Sequence, residues 1–328
     1  MPRAAKTTEN SVALPLIGGQ LSSAGGWSQV VGRALAAGAE VVQVFSSNPR
    51  IWPSAPPDAA ALAQFGAALR EHHLPLFLHS IYLINPASPD ERLRARSILA
   101  LAHSLQTGLL AGAAGVVTHL GSHRGEGFAQ AAPWIAQTAR AAWAAAARTR
   151  RPPGSAQLPP LLLETSAGSG ATVGHTWDEL QTLLELLTPA ADDTTAPRVG
   201  LCLDTAHMFA AGHAIHEAAG LASLVADLDR RNLLRRVQLV HLNDSASLFA
   251  SKRDRHADPG KGELGYAALA RVVRQPAFRQ IPFVLEVPGP EGHGPTKAEI
   301  DLVKTMRRVA AGQPAPPAEP GSGPAGPK

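Results

Sequence analysis

The feature that most constrains the fold of this chain is a regular alternation of short apolar segments with longer segments of helical spacing. The apolar segments are rich in Leu and Val and have the length of strands that are buried on both faces. They cover residues 14–18, 41–45, 74–79, 116–120, 161–164, 199–204, 237–242 and 283–287. The helical segments cover residues 27–37, 58–72, 90–111, 128–149, 177–187, 216–229, 266–274 and 296–311.

Eight strands that alternate with eight helices predict an α/β fold, a single-domain (β/α)8 or TIM barrel. A doubly wound open sheet is the alternative, because it produces the same alternation. We expect the barrel over residues 13–312, after a flexible N-terminal segment over residues 1–12. Two Pro-rich segments fall outside this pattern: 150–160 is expected to be a surface loop, and 313–328 a disordered Pro/Gly/Ala-rich tail.

Composition excludes several classes of protein. With 45% hydrophobic and 17% charged residues, the chain is apolar enough to bury a core, which excludes wholesale disorder. No uncharged apolar stretch reaches the ~18 residues of a membrane-spanning helix. The polar N-terminus lacks the apolar run of a secretory signal. We therefore expect a cytoplasmic protein that makes no membrane contact.

The chain has a single cysteine, Cys202, beside 13 histidines. One thiol excludes an internal disulfide and a multi-cysteine metal site, and its place in an apolar strand is typical of a core residue. The 30 Lys and Arg exceed the 26 Asp and Glu by four, which permits a polyanionic partner without requiring one. Any bound metal must therefore use imidazole and carboxylate ligands.

Six consecutive predicted strands end in a side chain that can bind a metal or move a proton. These strand-end residues are His79, His119, Glu164, Asp204, His241 and Glu286. The carboxyl ends of barrel strands converge on one face, where such enzymes have their active sites. Several carboxylates buried together repel one another unless a cation lies between them. With no thiolate ligand available, zinc or manganese suits this set best.

Three further residues extend the set of candidate ligands. His207 follows Asp204 by three positions, so a tight turn can direct both inward. Asp254 and His256 lie two positions apart in the loop after the seventh strand, and in extended backbone such residues point to the same side. The simpler reading of that charged loop is a solvated surface.

Several segments together resemble the endonuclease IV family of zinc-dependent apurinic/apyrimidinic endonucleases. The matching segments are 199–212 (VGLCLDTAHMFAAG), 240–244 (VHLND), 254–256 (DRH), 163–168 (LETSAG), 79–85 (HSIYLIN) and 119–123 (HLGSH). The resemblance extends from Ile17 to Glu286 and implies a TIM barrel with three zinc ions on nine ligands. It groups them as His79, His119 and Glu164; Glu164, Asp204, His241 and Glu286; and His207, Asp254 and His256. Manganese is a further candidate for part of these positions.

The resemblance also implies the activity. Members of this family act in base excision repair on duplex DNA and hydrolyse the phosphodiester 5′ to an abasic site, leaving a 3′-hydroxyl and a 5′-deoxyribose phosphate. Glu164 is implied as the bridge between two ions and Glu286 as the residue that positions the attacking nucleophile and accepts a proton. A monomer associated with the nucleoid is expected.

The resemblance further implies residues that bind DNA. Arg50, Tyr82 and Leu83 would fill the gap that the missing base leaves in the stack, although simple core packing is the alternative for the latter two. Rim residues would meet the DNA phosphates: Lys252, Arg253, Arg255 and Lys261. The chain departs from the family at Gln20, which is commonly His, at Ser169, usually Gln, and at residues 80–81, so substrate affinity is expected to differ.

Two other functions are compatible with parts of this pattern. The same superfamily contains metal-dependent sugar isomerases and epimerases, which also place Glu, Asp and His on barrel strands. Such enzymes have no need of the additional residues His79, His119, His207, Asp254 and His256. A non-catalytic binder of damaged DNA would be expected to have lost at least one ligand, and all nine are present.

Overall fold

The computed structural model describes residues 14–149, 157–188, 196–290, 292 and 294–308. The predicted N-terminal segment and C-terminal tail lie outside these ranges, as does most of the Pro-rich segment 150–160.

Eight parallel strands form a closed barrel in the order β1-β10-β7-β6-β5-β4-β3-β2. The barrel strands are β1 (Ile17–Gln20), β2 (Val42–Phe45), β3 (Leu76–His79), β4 (Gly115–Thr118), β5 (Leu161–Glu164), β6 (Val199–Asp204), β7 (Val237–His241) and β10 (Phe283–Leu285). The predicted (β/α)8 barrel is confirmed. An open sheet is wrong, because β1 pairs with both β2 and β10 and so closes the ring.

Helices follow the strands and cover the outside of the barrel. They are α1 (Ser28–Ala36), α2 (Ala59–Glu71), α3 (Glu91–Ala111), α4 (Phe128–Ala147), α5 (Trp177–Leu187), α6 (Thr205–Ala211), α7 (Ala218–Arg230), α8 (Gly265–Val273) and α9 (Lys297–Arg308). Side chains of Asp58, Asp90 and Thr176 accept backbone N–H groups at the starts of α2, α3 and α5, which satisfies donors that a helix leaves unpaired. In the described part of the chain, no helix is both long and apolar enough to span a bilayer.

The first strand differs from its predicted position at residues 14–18. Pairing with β10 starts only at Ile17, opposite Phe283, and pairing with β2 ends at Gln20, opposite Gln43. Leu14, before the strand, is 51% exposed. The strand is therefore defined by its partners: Leu14 lies before the ladder, and the backbone oxygen of Leu16 accepts a hydrogen bond from the N–H of Phe283 on β10.

Three short elements after the sixth and seventh strands were not predicted. Helix α6 starts directly at the end of β6, and the two-residue strands β8 (Asp244–Ser245) and β9 (His256–Ala257) form a short antiparallel pair. All three lie at the carboxyl end of the barrel, where α6 carries His207 and β9 carries His256.

The barrel interior is filled by one layer of apolar side chains. This layer consists of Val41, Phe77, Val117, Leu162, Cys202, Leu239 and Val284. Cys202 is fully buried, and burial raises the pKa of its thiol to about 12, which agrees with the core position expected for it. The layer closes the barrel below the polar residues at its carboxyl mouth.

Candidate metal centre

The nine candidate ligands meet at the carboxyl mouth of the barrel. Strand register places them there, because Asp204 lies opposite His241, and Glu164 lies opposite Cys202 on the next strand. Glu164, Asp204 and His241 are completely buried. Ligand atoms of eight of the nine residues, all except Asp254, fall into three groups, and within each group these atoms lie within 4.8 Å of one another.

The first group consists of His79, His119 and Glu164. The Nε2 atom of His79 lies 3.1 Å from Oε2 of Glu164, and Nδ1 of His119 lies 3.3 Å from the same oxygen. One carboxylate oxygen thus faces two imidazoles from the neighbouring strands β3 and β4.

The second group consists of Glu164, Asp204, His241 and Glu286. Nδ1 of His241 lies 2.9 Å from Oε1 of Glu164 and 3.0 Å from Oε2 of Glu286. Oδ2 of Asp204 lies 3.9 Å from the same nitrogen. Because the two oxygens of Glu164 face different groups, this carboxylate connects the first group with the second.

The third group consists of Asp204, His207 and His256. Asp254 borders it, with Oδ2 at 3.2 Å from Nε2 of His207 and Oδ1 at 3.3 Å from Nε2 of His256. The resemblance had placed Asp254 with these two histidines, and the structure brings Asp204 to them as well. The charged loop is therefore more than a solvated surface, since two of its side chains turn toward the barrel mouth.

Backbone carbonyl oxygens orient three of the histidines. Nδ1 of His79 lies 2.7 Å from the oxygen of Ser80, and Nδ1 of His207 lies 2.8 Å from that of Thr165. Nδ1 of His256 lies 2.9 Å from the oxygen of Glu286. A carbonyl oxygen can only accept, so each Nδ1 carries the proton and each neutral ring presents an unprotonated Nε2 to the carboxylates.

The donor set fits metal ions. Nε2 of His256 is buried and makes no hydrogen bond, although carboxylate oxygens of Asp254 and Asp204 lie 3.3 and 3.6 Å away. An unpaired buried nitrogen that faces carboxylates is the arrangement expected of a ligand. Because imidazole and carboxylate atoms converge in each group, these residues could hold metal ions.

The electrostatics of the cluster show how strongly its carboxylates depend on nearby positive charge. Burial alone would raise the pKa of Glu164, but His119 and His241 more than offset it and hold the pKa well below its usual range. The same balance applies to Glu286: burial would raise the pKa of its carboxyl, but His241 outweighs burial and lowers this pKa to about 2. Burial would lower the pKa of His207, but Asp204 and Asp254 raise it well above its usual value. Divalent cations would supply the same compensation with all five histidines neutral.

Sequence reasoning missed several neutral residues that contact the cluster. Gln43 on β2 bonds to both His241 and Glu286. Asn243 donates to Oδ2 of Asp204 at 2.6 Å and accepts from the backbone N–H of Glu286 at 2.7 Å. The available signal was a polar residue inside an apolar strand, as at Gln43, or two residues after a strand-end histidine, as at Asn243.

A cavity of about 1020 Å³ opens above the cluster. His79, His119, His207 and Glu286 are among the residues that line it, together with Arg50 and Tyr82 at the rim. Tyr82 is 58% exposed, and its ring meets Phe45 edge-on at 5.0 Å between centroids. Burial of the hydroxyl and nearby carboxylates raise the pKa of Tyr82 to about 12, so the phenol stays neutral.

The other residues predicted at the rim differ from one another in burial and in contact with the cavity. Leu83 is half-buried and packs against the core, as the packing alternative anticipated. Arg255 lines the cavity, while Lys252 and Arg253 are exposed on the same loop. Ser169, one of the departures from the family pattern, donates its hydroxyl to the backbone oxygen of Lys252 at 2.5 Å and so connects two loops of the rim.

The fold and the site define an α/β-barrel protein with candidate metal-binding groups at its carboxyl mouth. The family model described as a xylose isomerase-like TIM barrel matches residues 31–307. A probable endonuclease 4 from Nitratidesulfovibrio vulgaris is 34% identical over 301 residues, or 90% of this chain and 99% of the relative. Endonuclease IV from Thermus thermophilus superposes with a TM-score of 0.73 at 32% identity, over 89% of this chain and 98% of that one. The chain belongs to the endonuclease IV family, and it is an enzyme.

The alternative function, a metal-dependent sugar isomerase or epimerase of the same superfamily, is supported by the fold alone. A 3-keto-D-glucoside 4-epimerase from E. coli matches with a TM-score of 0.60, at 16% identity over 90% of this chain and 100% of that one. At this identity the likeness shows the shared barrel and carries no information about substrate.

Proposed function

We propose that this protein is a metal-dependent DNA repair endonuclease that hydrolyses the phosphodiester 5′ to abasic sites in duplex DNA. The products are a 3′-hydroxyl and a 5′-deoxyribose phosphate. The observation that carries the proposal is the convergence of nine His, Asp and Glu side chains at one barrel mouth, in a chain whose relatives are named probable endonuclease 4.

Two of the metal positions follow the groups of side chains described above, and the third combines His207 and His256 with Asp254, which borders their group. We assign one zinc ion to His79, His119 and Glu164, one to Glu164, Asp204, His241 and Glu286, and one to His207, Asp254 and His256. Zinc suits imidazole and carboxylate ligands, and manganese is an alternative for part of the sites. Bound there, the ions supply a nucleophile from water at neutral pH and offset the negative charge of the phosphate.

Two carboxylates carry the central roles in this proposal. Glu164 is fully buried and faces both the first and the second group, so it would be a ligand to the metal ions at both positions. The side chain of Glu286 is 14% exposed and lines the cavity. Since its pKa is about 2, it is ionised at neutral pH and can orient an attacking water by accepting its proton in a hydrogen bond.

The rim supplies the contacts to DNA. An abasic nucleotide has no base to pair or stack, so moving it out of the duplex costs less than for an intact one. Arg50 and Tyr82 line the cavity and would fill the gap in the stack, while Leu83 packs against the core. The basic loop with Lys252, Arg253 and Arg255 would meet the phosphates. We expect a monomer that works on nucleoid DNA in the cytoplasm.

Cleavage of a defined duplex tests the proposed function. The substrate carries one tetrahydrofuran abasic analogue, and the same duplex with an intact nucleotide at that position is the control. We expect one zinc-dependent cut 5′ to the analogue, loss of cutting after treatment with a chelator, and recovery with added zinc. A zinc-loaded protein that leaves the abasic duplex intact would contradict the proposal.

A further inference from the structure

We infer that Gln43 is a positioning residue that determines zinc affinity at the group formed by Glu164, Asp204, His241 and Glu286. The inference rests on the metal centre of the proposed function and adds to it a residue outside the nine ligands. Gln43 is the only polar residue of β2, and its side chain is completely buried. Burying an amide is costly unless its hydrogen bonds are made.

Both ends of the Gln43 amide bond to members of this one group. Its Nε2 donates to Oε1 of Glu286 at 2.5 Å, and its Oε1 lies 3.0 Å from Nε2 of His241. These contacts join positions that are 243 and 198 residues apart in the chain. One side chain on β2 therefore holds one residue from β7 and one from the end of β10.

The chemistry of the partners fixes the direction of both bonds. The ionised carboxylate of Glu286 can only accept, so the amide nitrogen of Gln43 must face it. The amide oxygen then faces His241, whose Nε2 must be the donor. In the neutral ring the unprotonated nitrogen is consequently Nδ1, the atom that lies 2.9 Å from Glu164 and 3.0 Å from Glu286.

Through these two hydrogen bonds Gln43 orients ligands of one of the three groups. It sets the tautomer and the ring orientation of His241, and it holds Oε1 of Glu286 while Oε2 faces Nδ1 of His241 at 3.0 Å. Partners that orient ligands in this way affect metal affinity by roughly 10- to 100-fold. Within the described part of the chain, the side chain of Gln43 hydrogen-bonds to His241 and Glu286 and to no histidine of the other two groups. We therefore expect the zinc affinity of the other two positions to be the same in Gln43 variants as in the wild type.

The neighbouring strand provides a matched control. Gln20 on β1 is the register partner of Gln43, and it also lines the cavity. Its amide oxygen and nitrogen are buried but have no hydrogen-bond partner among the described residues. Removing the Gln20 amide therefore removes no hydrogen bond to a candidate ligand, while the substitution is made at the same level of the barrel.

The experiment compares full-length wild type with Gln43→Met, Gln43→Glu and Gln20→Leu. Methionine conserves the length of the side chain without hydrogen bonds, and glutamate keeps the acceptor for His241 but cannot donate to Glu286 when ionised. Each protein is stripped of metal and titrated with zinc against a chromophoric chelator. Thermal unfolding of the metal-free proteins is recorded alongside, so that a folding defect is seen separately.

We expect one zinc ion to bind about 10- to 100-fold more weakly in both Gln43 variants, with the remaining ions unchanged, and Gln20→Leu to bind as wild type does. At zinc concentrations that saturate wild type, kcat of the Gln43 variants on the abasic duplex should fall while KM stays within about twofold. If Gln43→Met bound zinc with wild-type affinity at every position, the inference would be overturned. It would also be overturned if zinc affinity fell equally at all positions, or if Gln20→Leu lost as much zinc affinity as the Gln43 variants. A wild-type protein that binds no zinc would instead contradict the proposed function.

Discussion

At the scale of single residues, Glu164 has the most contacts with other candidate ligands. Its carboxylate lies within 3.6 Å of nitrogens on four histidines, namely His79, His119, His207 and His241. One of its oxygens faces the first group and the other faces the second. Replacing Glu164 by a neutral residue therefore removes a negative charge from two candidate metal positions at once.

Glu164→Gln should reduce cleavage of the abasic duplex by about 100-fold or more, the scale seen when one charge-stabilising group is removed from an active site. It should also reduce the number of zinc ions that the purified protein retains, which mass spectrometry measures. Glu179→Gln is the control, because Glu179 is a buried carboxylate that accepts the backbone N–H of Gly174 and of His175 outside the cluster. Unchanged zinc content in Glu164→Gln would contradict the bridging role.

Replacing Glu286 is expected to affect cleavage without affecting DNA binding, because this residue faces the cavity. Glu286→Gln keeps the shape of the side chain but removes the negative charge that orients an attacking water. We expect this variant to bind the duplex with one tetrahydrofuran site and to leave it uncut. A mobility-shift assay measures binding and a nicking assay measures cleavage. Cleavage at the wild-type rate would contradict the role assigned to Glu286.

Sequence patterns predicted the nine candidate ligands but not the residues that hold them in place. Six ligands end apolar strands, so strand position alone brings them to one mouth. Gln43 and Asn243 act through partners that are distant in the chain, and neither carries a charge that would draw attention to it. Their role depends on which atoms face each other, and only the folded barrel specifies that.

At the scale of secondary-structure elements, short segments at the strand ends orient the site. Asp204 is the last residue of β6, and its Oδ1 accepts the backbone N–H of His207 at 2.8 Å, which starts α6. This helix of seven residues was missed, because so short a segment has too few positions to show a helical period.

Asp244 shows why one strand-end carboxylate is not among the candidate ligands. It follows His241 by three residues and is fully buried, but its oxygens accept backbone N–H groups from Gly260, Gly262 and Leu264 at 2.9 to 3.1 Å. The carboxylate thus holds the loop that follows β9, and through it the position of His256. The sequence does not distinguish this structural role from metal binding.

The junction between β1 and α9 provides a prediction about stability and pH. Glu40 accepts from the backbone N–H of Ile17 at 3.0 Å and from Arg307 at 2.6 and 3.0 Å. Burial would raise the pKa of Glu40, but Arg307 and the Ile17 bond outweigh it and lower the pKa from its ordinary 4.5. A lowered pKa means that the ionised carboxyl stabilises the fold above pH 4.5 and that this stability is lost as pH falls through the folded-state pKa.

Glu40→Gln should therefore lower the free energy of unfolding at pH 7 by about 1–3 kcal/mol, the range for a hydrogen bond to a charged group and its unpaired partner. The difference from wild type should shrink below the ordinary pKa of 4.5 and disappear at lower pH. Urea unfolding over this pH range measures it, with the exposed Glu71→Gln as the control. A difference that stays constant with pH would show that the charge of Glu40 is not the cause.

At the scale of the whole molecule, the barrel separates a dry interior from a polar mouth. The apolar layer that contains Cys202 and Leu239 closes the barrel. Above it lie the carboxylates of Glu164, Asp204 and Glu286, which are buried or partly buried, and the half-exposed carboxylate of Asp254. Alternation of strands and helices predicted the barrel but left an open sheet as the alternative, which only the pairing of β1 with β10 excludes. The limits of the first strand were not predictable, because they depend on pairing with β2 and β10 from opposite ends of the chain.

Metal removal should destabilise the folded protein, because ligands that bind only the native state stabilise it. Zinc present at about 100 times its dissociation constant contributes about 2.7 kcal/mol per independent site. We expect the melting temperature to fall after treatment with a chelator and to return when zinc, but not magnesium, is added, since magnesium prefers oxygen ligands. Differential scanning calorimetry measures this shift, and identical melting with and without zinc would argue against a structural contribution.

The zinc content of the purified protein tests the central claim most directly. Native mass spectrometry of protein prepared without chelator gives the number of ions bound to each chain. The convergence of eight of the nine candidate ligands into three groups, with Asp254 bordering the third, predicts about three zinc ions per chain. A count of one or none would contradict a trinuclear centre and, with it, the roles assigned here to the residues of the barrel mouth.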